Sequence, residues 1–145
     1  MTYHAAPDLQ AYVAAPAGAH ATYRLQYHLV WSVKARRRVL VGAVTATLQE
    51  DLVRTAAALS VTILALHIEP EHVHVLLSVP PDHTIARVVG RLKGASAHTL
   101  RARFPVVRQA HERSLWTAGY FARTLGDVSV AQVKAYLDRQ TAHHA

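Results

Sequence analysis

The 145-residue chain contains no cysteine, so disulfide bonds and thiolate metal ligands are excluded. Acidic residues are scarce as well. The chain has nine Asp and Glu but 16 Lys and Arg, which gives a net charge of +7. We find no uncharged apolar run of membrane-spanning length, and no basic start followed by an apolar block as in a secretion signal. We therefore expect a cytoplasmic protein without a membrane partner, whose basic surplus favours a polyanion such as nucleic acid.

Hydrophobic residues make up 51% of the chain, which is enough for a proper core and excludes a disordered protein. The length is that of one domain. Residues 1–21 are rich in Ala and Pro without periodicity, so we expect a flexible leader there. Residues 22–145 are then expected to form a single domain.

Two histidines one residue apart, His72 and His74, lie within an alternating apolar run. In a β-strand the side chains alternate between faces, so both histidines share one face while Val73 and Val75 share the other. Two imidazoles at neighbouring positions on one face can share a metal ion. In a chain with 11 histidines such a pair is also common as surface decoration, so the rest of the chain has to decide.

The order of the predicted elements is β-α-β-β-α-β followed by one further helix. The predicted ranges are strand 22–33, helix 44–59, strands 61–68 and 72–79, helix 84–104, strand 114–125 and helix 129–142. This order is typical of the ferredoxin-like α+β fold with an antiparallel sheet. The first and third strands are then neighbours, so we expect His28 to lie beside His72 and His74, on a sheet face that the helices leave open.

The predicted last helix carries Tyr136 and Gln140, which are four residues apart and therefore lie on one face. A tyrosine hydroxyl is a candidate nucleophile for phosphoryl transfer. A glutamine carbonyl is an oxygen donor for a hard divalent cation. The alternative is that Tyr136 packs in the core and Gln140 is merely solvated.

Five motifs in this order resemble the single-tyrosine HUH transposases of the TnpA type, in which HUH stands for His-hydrophobic-His. They are His72-Val73-His74, the hairpin Glu69-Pro70-Glu71, the stretch Tyr27-His28-Leu29-Val30-Trp31 with Lys34 and Arg36, Leu92-Lys93-Gly94, and Tyr136 with Gln140. The resemblance covers residues 22–142. Ser32 departs from the pattern, since an apolar residue or cysteine is expected there.

The resemblance implies a transposase that recognises subterminal hairpins and cleaves and rejoins single-stranded DNA at insertion-sequence ends. It implies Tyr136 as the catalytic nucleophile, which forms a 5′-phosphotyrosine intermediate without ATP. It further implies that His72, His74 and Gln140 hold a divalent metal, Mg²⁺ or Mn²⁺, and that the enzyme is a homodimer.

Basic residues are expected to neutralise DNA phosphates, although each also fits ordinary solvated surface. The candidates are Lys34, Arg36, Arg37, Arg87, Arg91 and Lys93. Behind the metal ligands we expect His28 and Glu69 as candidate supporting residues. Glu69 equally fits a solvated residue of the hairpin.

Three alternatives remain open. A domesticated relative would process host repeat palindromes with the same chemistry. A non-catalytic nucleic-acid-binding module on the same fold would place stacking aromatics on the open sheet face, whereas those of the first strand alternate onto the apolar face. Replication initiators and relaxases share the HUH chemistry but usually carry further domains, for which 145 residues leave no room.

Overall fold

The computed structural model describes residues 23–126, the backbone of residues 2–5, and four helical residues at 132, 135, 138 and 139. The predicted nucleophile Tyr136 and the predicted metal ligand Gln140 lie outside the described residues. The boundary at residue 21 between leader and domain stays a prediction.

Five antiparallel strands form one sheet in the order β1-β3-β4-β2-β5. The strands are β1 (Thr2–Ala5), β2 (Gln26–Ser32), β3 (Thr62–Ile68), β4 (His72–Ser78) and β5 (Phe121–Thr124). The first and third strands of the predicted order, β2 and β4, are neighbours near the sheet centre, as expected. The α+β fold with an antiparallel sheet is therefore confirmed.

Helices occupy the chain between β2 and β3 and between β4 and β5. They are α1 (Ala43–Ala58), α2 (Ile85–Arg103) and α3 (Pro105–Ala110), with a short 3-10 turn at Lys34–Arg36. The Thr84 hydroxyl accepts a hydrogen bond from the Arg87 amide at 3.1 Å, which confirms the predicted N-cap of α2. Helix α2 ends before Phe104, because the residue preceding a proline avoids the helical conformation. No helix within the described ranges is long and apolar enough to cross a membrane.

The hydrophobic core lies between α1, α2 and one face of the sheet. Along β2 and β4 every second side chain enters it, as the alternation predicts. The strand contributions are Leu29, Trp31, Val73, Val75 and Leu77, and the helix contributions include Leu48, Leu52, Leu92 and Leu100. This packing fixes β4 so that its other face carries the two histidines.

Three features differ from the predicted elements. The strand β1, which pairs with β3, lies in the segment expected as a leader. Helix α3 was not predicted. The strand expected over 114–125 is confined to Phe121–Thr124, because Gly119 turns the chain at φ +87° and Trp116 forms only a single bridge with Val33.

Candidate active site

The face of β4 opposite the core brings the ring nitrogens of His72 and His74 together. Their Nε2 atoms are 2.9 Å apart. The predicted shared face is confirmed, but both side chains are buried rather than facing outward. Histidines of the two flanking strands pack beside them, His28 on β2 and His67 on β3, with ring centroids 5.3 and 6.1 Å from that of His74.

One hydrogen bond assigns the proton of the His72 ring. The Nδ1 atom of His72 lies 2.9 Å from Oε1 of Glu71, and a carboxylate only accepts, so Nδ1 carries the proton. The Nε2 atom of His72 then presents a lone pair toward Nε2 of His74. Two lone pairs at this separation repel unless a proton or a cation lies between them. The pair is thus suited to hold one or the other.

His28 stacks on the second histidine of the pair. Its Nε2 atom lies 3.1 Å from Nδ1 of His74, and the two rings are inclined by 14°. His28 reaches His74 diagonally across the ladder, since its direct partner in the register is Leu76. The expected proximity of His28 to the histidine pair is therefore found, and the contact orients the His74 ring.

The two acidic residues of the hairpin serve different histidines. Glu69, named from the sequence as a supporting residue, accepts from Nε2 of His67 at 2.8 Å. The carboxylate that contacts the His72/His74 pair belongs to Glu71, which the sequence analysis did not single out as a site residue. Its sequence signals are its place in the hairpin motif Glu69-Pro70-Glu71 and its position immediately before His72, although alternation would have placed it on the valine face. Because β4 begins at His72, that rule does not apply to Glu71.

Two arginines reach the same carboxylate from the basic segment after β2. Arg38 Nη1 lies 3.2 Å from Glu71 Oε2, and Arg36 Nη2 lies 3.6 Å from Oε1. The chain turns back here through left-handed backbone at Ala35 and Arg36, with φ of 61° and 51°. The basic segment is thereby tied to the histidine pair through one buried carboxylate.

The six residues predicted to contact DNA occupy different environments. Lys34 and Arg37 are exposed and line an open cavity, while Arg87 and Arg91 are exposed on α2. Lys93 differs, because its Nζ donates to the carbonyls of Thr117 at 2.9 Å and Gly119 at 2.8 Å. Burial lowers the pKa of Lys93. Its contacts give Lys93 the role of holding the loop before β5 against α2.

Within the part of the chain that the structure describes, no three His, Asp or Glu side chains converge on a point that could hold a metal ion. The two convergent nitrogens of His72 and His74 fit two ligands of such a site, and imidazole suits Mn²⁺ better than Mg²⁺. The third predicted ligand, Gln140, lies outside the described residues.

The sequence matches the family model described as "Transposase IS200 like" over residues 21–140. The chain belongs to this transposase family. It is 36% identical to the ISDra2 transposase TnpA of Deinococcus radiodurans over 119 residues, which cover 81% of this chain and 85% of the relative. It is 28% identical to the transposase of insertion sequence element IS200 of Salmonella typhimurium over 84% of this chain and 80% of that one.

Solved structures support the same assignment of the fold. The crystal structure of a candidate transposase from Deinococcus radiodurans R1 matches with a TM-score of 0.70 and 35% identity, over 87% of this chain and 98% of that one. A REP-associated tyrosine transposase bound to a REP hairpin matches with a TM-score of 0.59 and 13% identity, over 86% and 67% of the two chains. As an IS200-like transposase, the chain belongs to a family that cleaves and transfers DNA strands, which favours an enzyme over a binding module.

Proposed function

We propose that this chain cleaves and rejoins single-stranded DNA at insertion-sequence ends through a covalent 5′-phosphotyrosine. The observation that carries the proposal is the convergence of His72 and His74, whose Nε2 atoms lie 2.9 Å apart in an IS200-like family member. A pair of neutral imidazoles held in this way supports the binding of a divalent cation, and Glu71 and His28 orient the two rings.

The residues proposed to hold the cation are His72, His74 and Gln140, with Mg²⁺ or Mn²⁺ as the ion. When bound, the ion would offset the charge that develops on the scissile phosphate. The donor on Nδ1 of His72 leaves its Nε2 free of a proton, as a metal ligand requires. For His74 to act as the second ligand, its proton has to lie on Nδ1, where the ring of His28 can accept it.

Tyr136 is the proposed nucleophile. Its Oη attacks phosphorus, the bond from phosphorus to the 3′ oxygen breaks, and the leaving oxygen takes up a proton to become a 3′-hydroxyl. The product is a tyrosine ester of the 5′-phosphate. Attack by a second 3′-hydroxyl reverses the exchange and joins strands, and no ATP is needed because the number of phosphate ester bonds is unchanged.

The proposed DNA substrate carries hairpins near its ends, and the proposed assembly is a homodimer in the cytoplasm. A distant structural neighbour bound to a REP hairpin supports hairpin recognition on this fold. A domesticated relative that processes repeat palindromes is the second candidate. Identity of 36% to an insertion-sequence transposase, against 13% to the REP-associated protein, favours transposition.

Covalent trapping tests the proposal. Single strands from both sides of the protein's own gene are incubated with the chain and Mn²⁺, and the mixture is separated on a denaturing gel. We expect a shifted protein–DNA band that EDTA, Tyr136→Phe and His72→Ala each abolish. Tyr120→Phe is the matched control, since Tyr120 is an exposed tyrosine outside the proposed machinery, and it should leave the band intact.

An adduct that survives Tyr136→Phe would mean that another residue is the nucleophile. Salt-sensitive binding of the same strands by the wild-type chain without any adduct would contradict the enzymatic proposal and favour a binding module. An adduct that forms equally well in EDTA would contradict the metal requirement.

A further inference from the structure

An open cavity of about 260 Å³ lies beside the basic segment and is lined mainly by cationic and polar groups. We call the surface formed by four of its lining residues the basic cleft; these residues are Lys34, Arg37, His111 and Arg113. Glu112 is the one acidic residue that also lines it. The side chains of Lys34, Arg37 and Arg113 are exposed, and none of them forms an ion pair with another described residue.

The fold assembles the basic cleft from two distant stretches of chain. The Lys34 amide donates to the carbonyl of Leu115 at 2.8 Å, and Val33 pairs with Trp116, so the segment after α3 is held against the end of β2. Residues 36 to 38 then divide between two targets. Arg36 and Arg38 reach Glu71, whereas Arg37 lines the cleft.

His111 reports the electrostatic character of the cleft. Its pKa is lowered by burial first and then by the positive charges of Arg37 and Lys34. The side chain is buried, and its Nε2 has no hydrogen-bond partner among the described residues. The contribution of Arg37 and Lys34 indicates a positive electrostatic potential in the cleft, and such a potential favours an anionic ligand.

A second open cavity, of about 350 Å³, continues from the first. The two share Arg113 and Ser114, and the second is also lined by Arg101 and by Lys93, whose Nζ donates to the loop carbonyls. Successive phosphates of a nucleic-acid strand carry one charge each, so a row of cations along two joined cavities matches a backbone rather than an isolated anion.

We propose that the basic cleft binds a non-scissile phosphodiester of the DNA substrate. The proposal rests on the proposed function for the identity of the polyanion. The cleft is linked to the histidine pair through the chain, since Arg36 and Arg38, the neighbours of Arg37, contact Glu71, and Glu71 contacts His72. A phosphate held here would position the strand that enters the active site.

A scan with methylphosphonates tests the basic cleft. Single neutral methylphosphonates are placed along the strand that forms the Tyr136 adduct, and affinity is measured in EDTA so that the strand stays intact. We expect one position, or two adjacent ones, to weaken binding to the wild-type chain by roughly ten- to hundredfold. In Arg37→Ala or Arg113→Ala a methylphosphonate at the same position should weaken binding little, because the side chain that contacts this phosphate has already been removed.

The matched control is Arg103→Ala, which removes an equal charge from the exposed end of α2 outside both cavities. In this variant a methylphosphonate at the sensitive position should weaken binding as much as it does in the wild-type chain. The dependence of log affinity on log salt should become shallower by roughly 0.7 to 0.9 in each cleft variant, as expected for the loss of one phosphate contact. A sensitive position in a hairpin stem identifies duplex backbone as the ligand, and one among unpaired nucleotides identifies single-stranded backbone.

The proposal for the basic cleft is overturned if no methylphosphonate weakens binding in a way that depends on Arg37 or Arg113, while the Tyr136 adduct forms normally. That result would leave the proposed function standing. Absence of the adduct from the wild-type chain would instead contradict the proposed function. The methylphosphonate scan of affinity, performed on the same flanking strands, would then test the cleft independently of the adduct.

Discussion

Glu71 connects two chemically different parts of the molecule with a single carboxylate. Oε1 accepts from the Nδ1 proton of His72 at 2.9 Å, and Oε2 accepts from Arg38 at 3.2 Å. The side chain is nearly buried, so its charge is offset mainly by these groups rather than by water. A histidine held in this way presents Nε2 in a fixed direction, as a metal ligand requires.

The role of Glu71 predicts the effect of removing its charge. In Glu71→Gln we expect Mn²⁺ affinity to fall by about tenfold, because an amide accepts the Nδ1 proton more weakly and can also rotate its NH₂ toward the ring. Isothermal titration with Mn²⁺ measures the change. Glu69→Gln is the matched control, since Glu69 contacts His67 and not the pair, and its affinity should stay near the wild-type value. Equal losses in the two variants would refute a specific role for Glu71.

At the scale of secondary-structure elements, the local hydrophobic pattern was sufficient to predict an element where one of its faces is buried. Alternation predicted β2 and β4 within a few residues, and it placed His72 and His74 on a common face. It failed between residues 114 and 120, which were predicted as strand, because the conformation there depends on distant partners. The Lys93 ammonium holds the loop carbonyls and the Trp116 indole donates to α2, and neither contact has a periodic signature.

Helices α1 and α2 are joined by a buried polar clip that the sequence pattern did not reveal. Asp51 Oδ1 accepts from Arg54 at 2.6 Å on its own helix and from Thr99 at 2.9 Å on α2. Asp51 lies on the buried side of α1 near Leu48 and Leu52, where an aliphatic residue would ordinarily be expected. The clip therefore fixes how the two helices lie on each other above the sheet.

We expect Asp51→Ala to destabilise the fold by about 1–3 kcal/mol, since it removes two hydrogen bonds to a buried carboxylate. Urea unfolding followed by circular dichroism measures the loss. Glu50→Ala, at the exposed neighbouring position, is the control and should change the free energy of unfolding by less than about 0.5 kcal/mol. A loss as small as that of the control would mean that the clip contributes nothing net.

At the scale of the whole molecule, the sheet separates packing from chemistry. One face carries the aliphatic core under α1 and α2, and the other carries His28, His67, His72 and His74. The order of elements predicted this division. It did not predict the basic cleft, because the segments 34–37 and 111–113 are far apart in sequence and are brought together by tertiary contacts such as the pairing of Val33 with Trp116 and the hydrogen bond from Lys34 to Leu115. Tertiary contacts of this kind leave no local trace in the chain.

Charge is distributed in a way that predicts strongly salt-dependent DNA binding. The chain has a net charge of +7, and three of its described arginines, Arg36, Arg38 and Arg54, form ion pairs with acidic side chains. One or two phosphates bound by the basic cleft, at roughly 0.7 each for a single strand, contribute about −0.7 to −1.4 to the slope of log affinity against log salt. The full slope should be steeper, since Arg87 and Arg91 are also exposed.

Fluorescence anisotropy between 50 and 300 mM salt, roughly the range over which such contacts are screened, measures this slope on a labelled flanking strand. Tyr136→Phe is the control, because it removes no charge, and its slope should equal that of the wild-type chain. A slope near zero in the wild-type chain would show that phosphate neutralisation does not drive binding. The surplus of basic residues would then have another role. The same result would contradict the assignment of DNA contacts to Lys34, Arg37, Arg87 and Arg91.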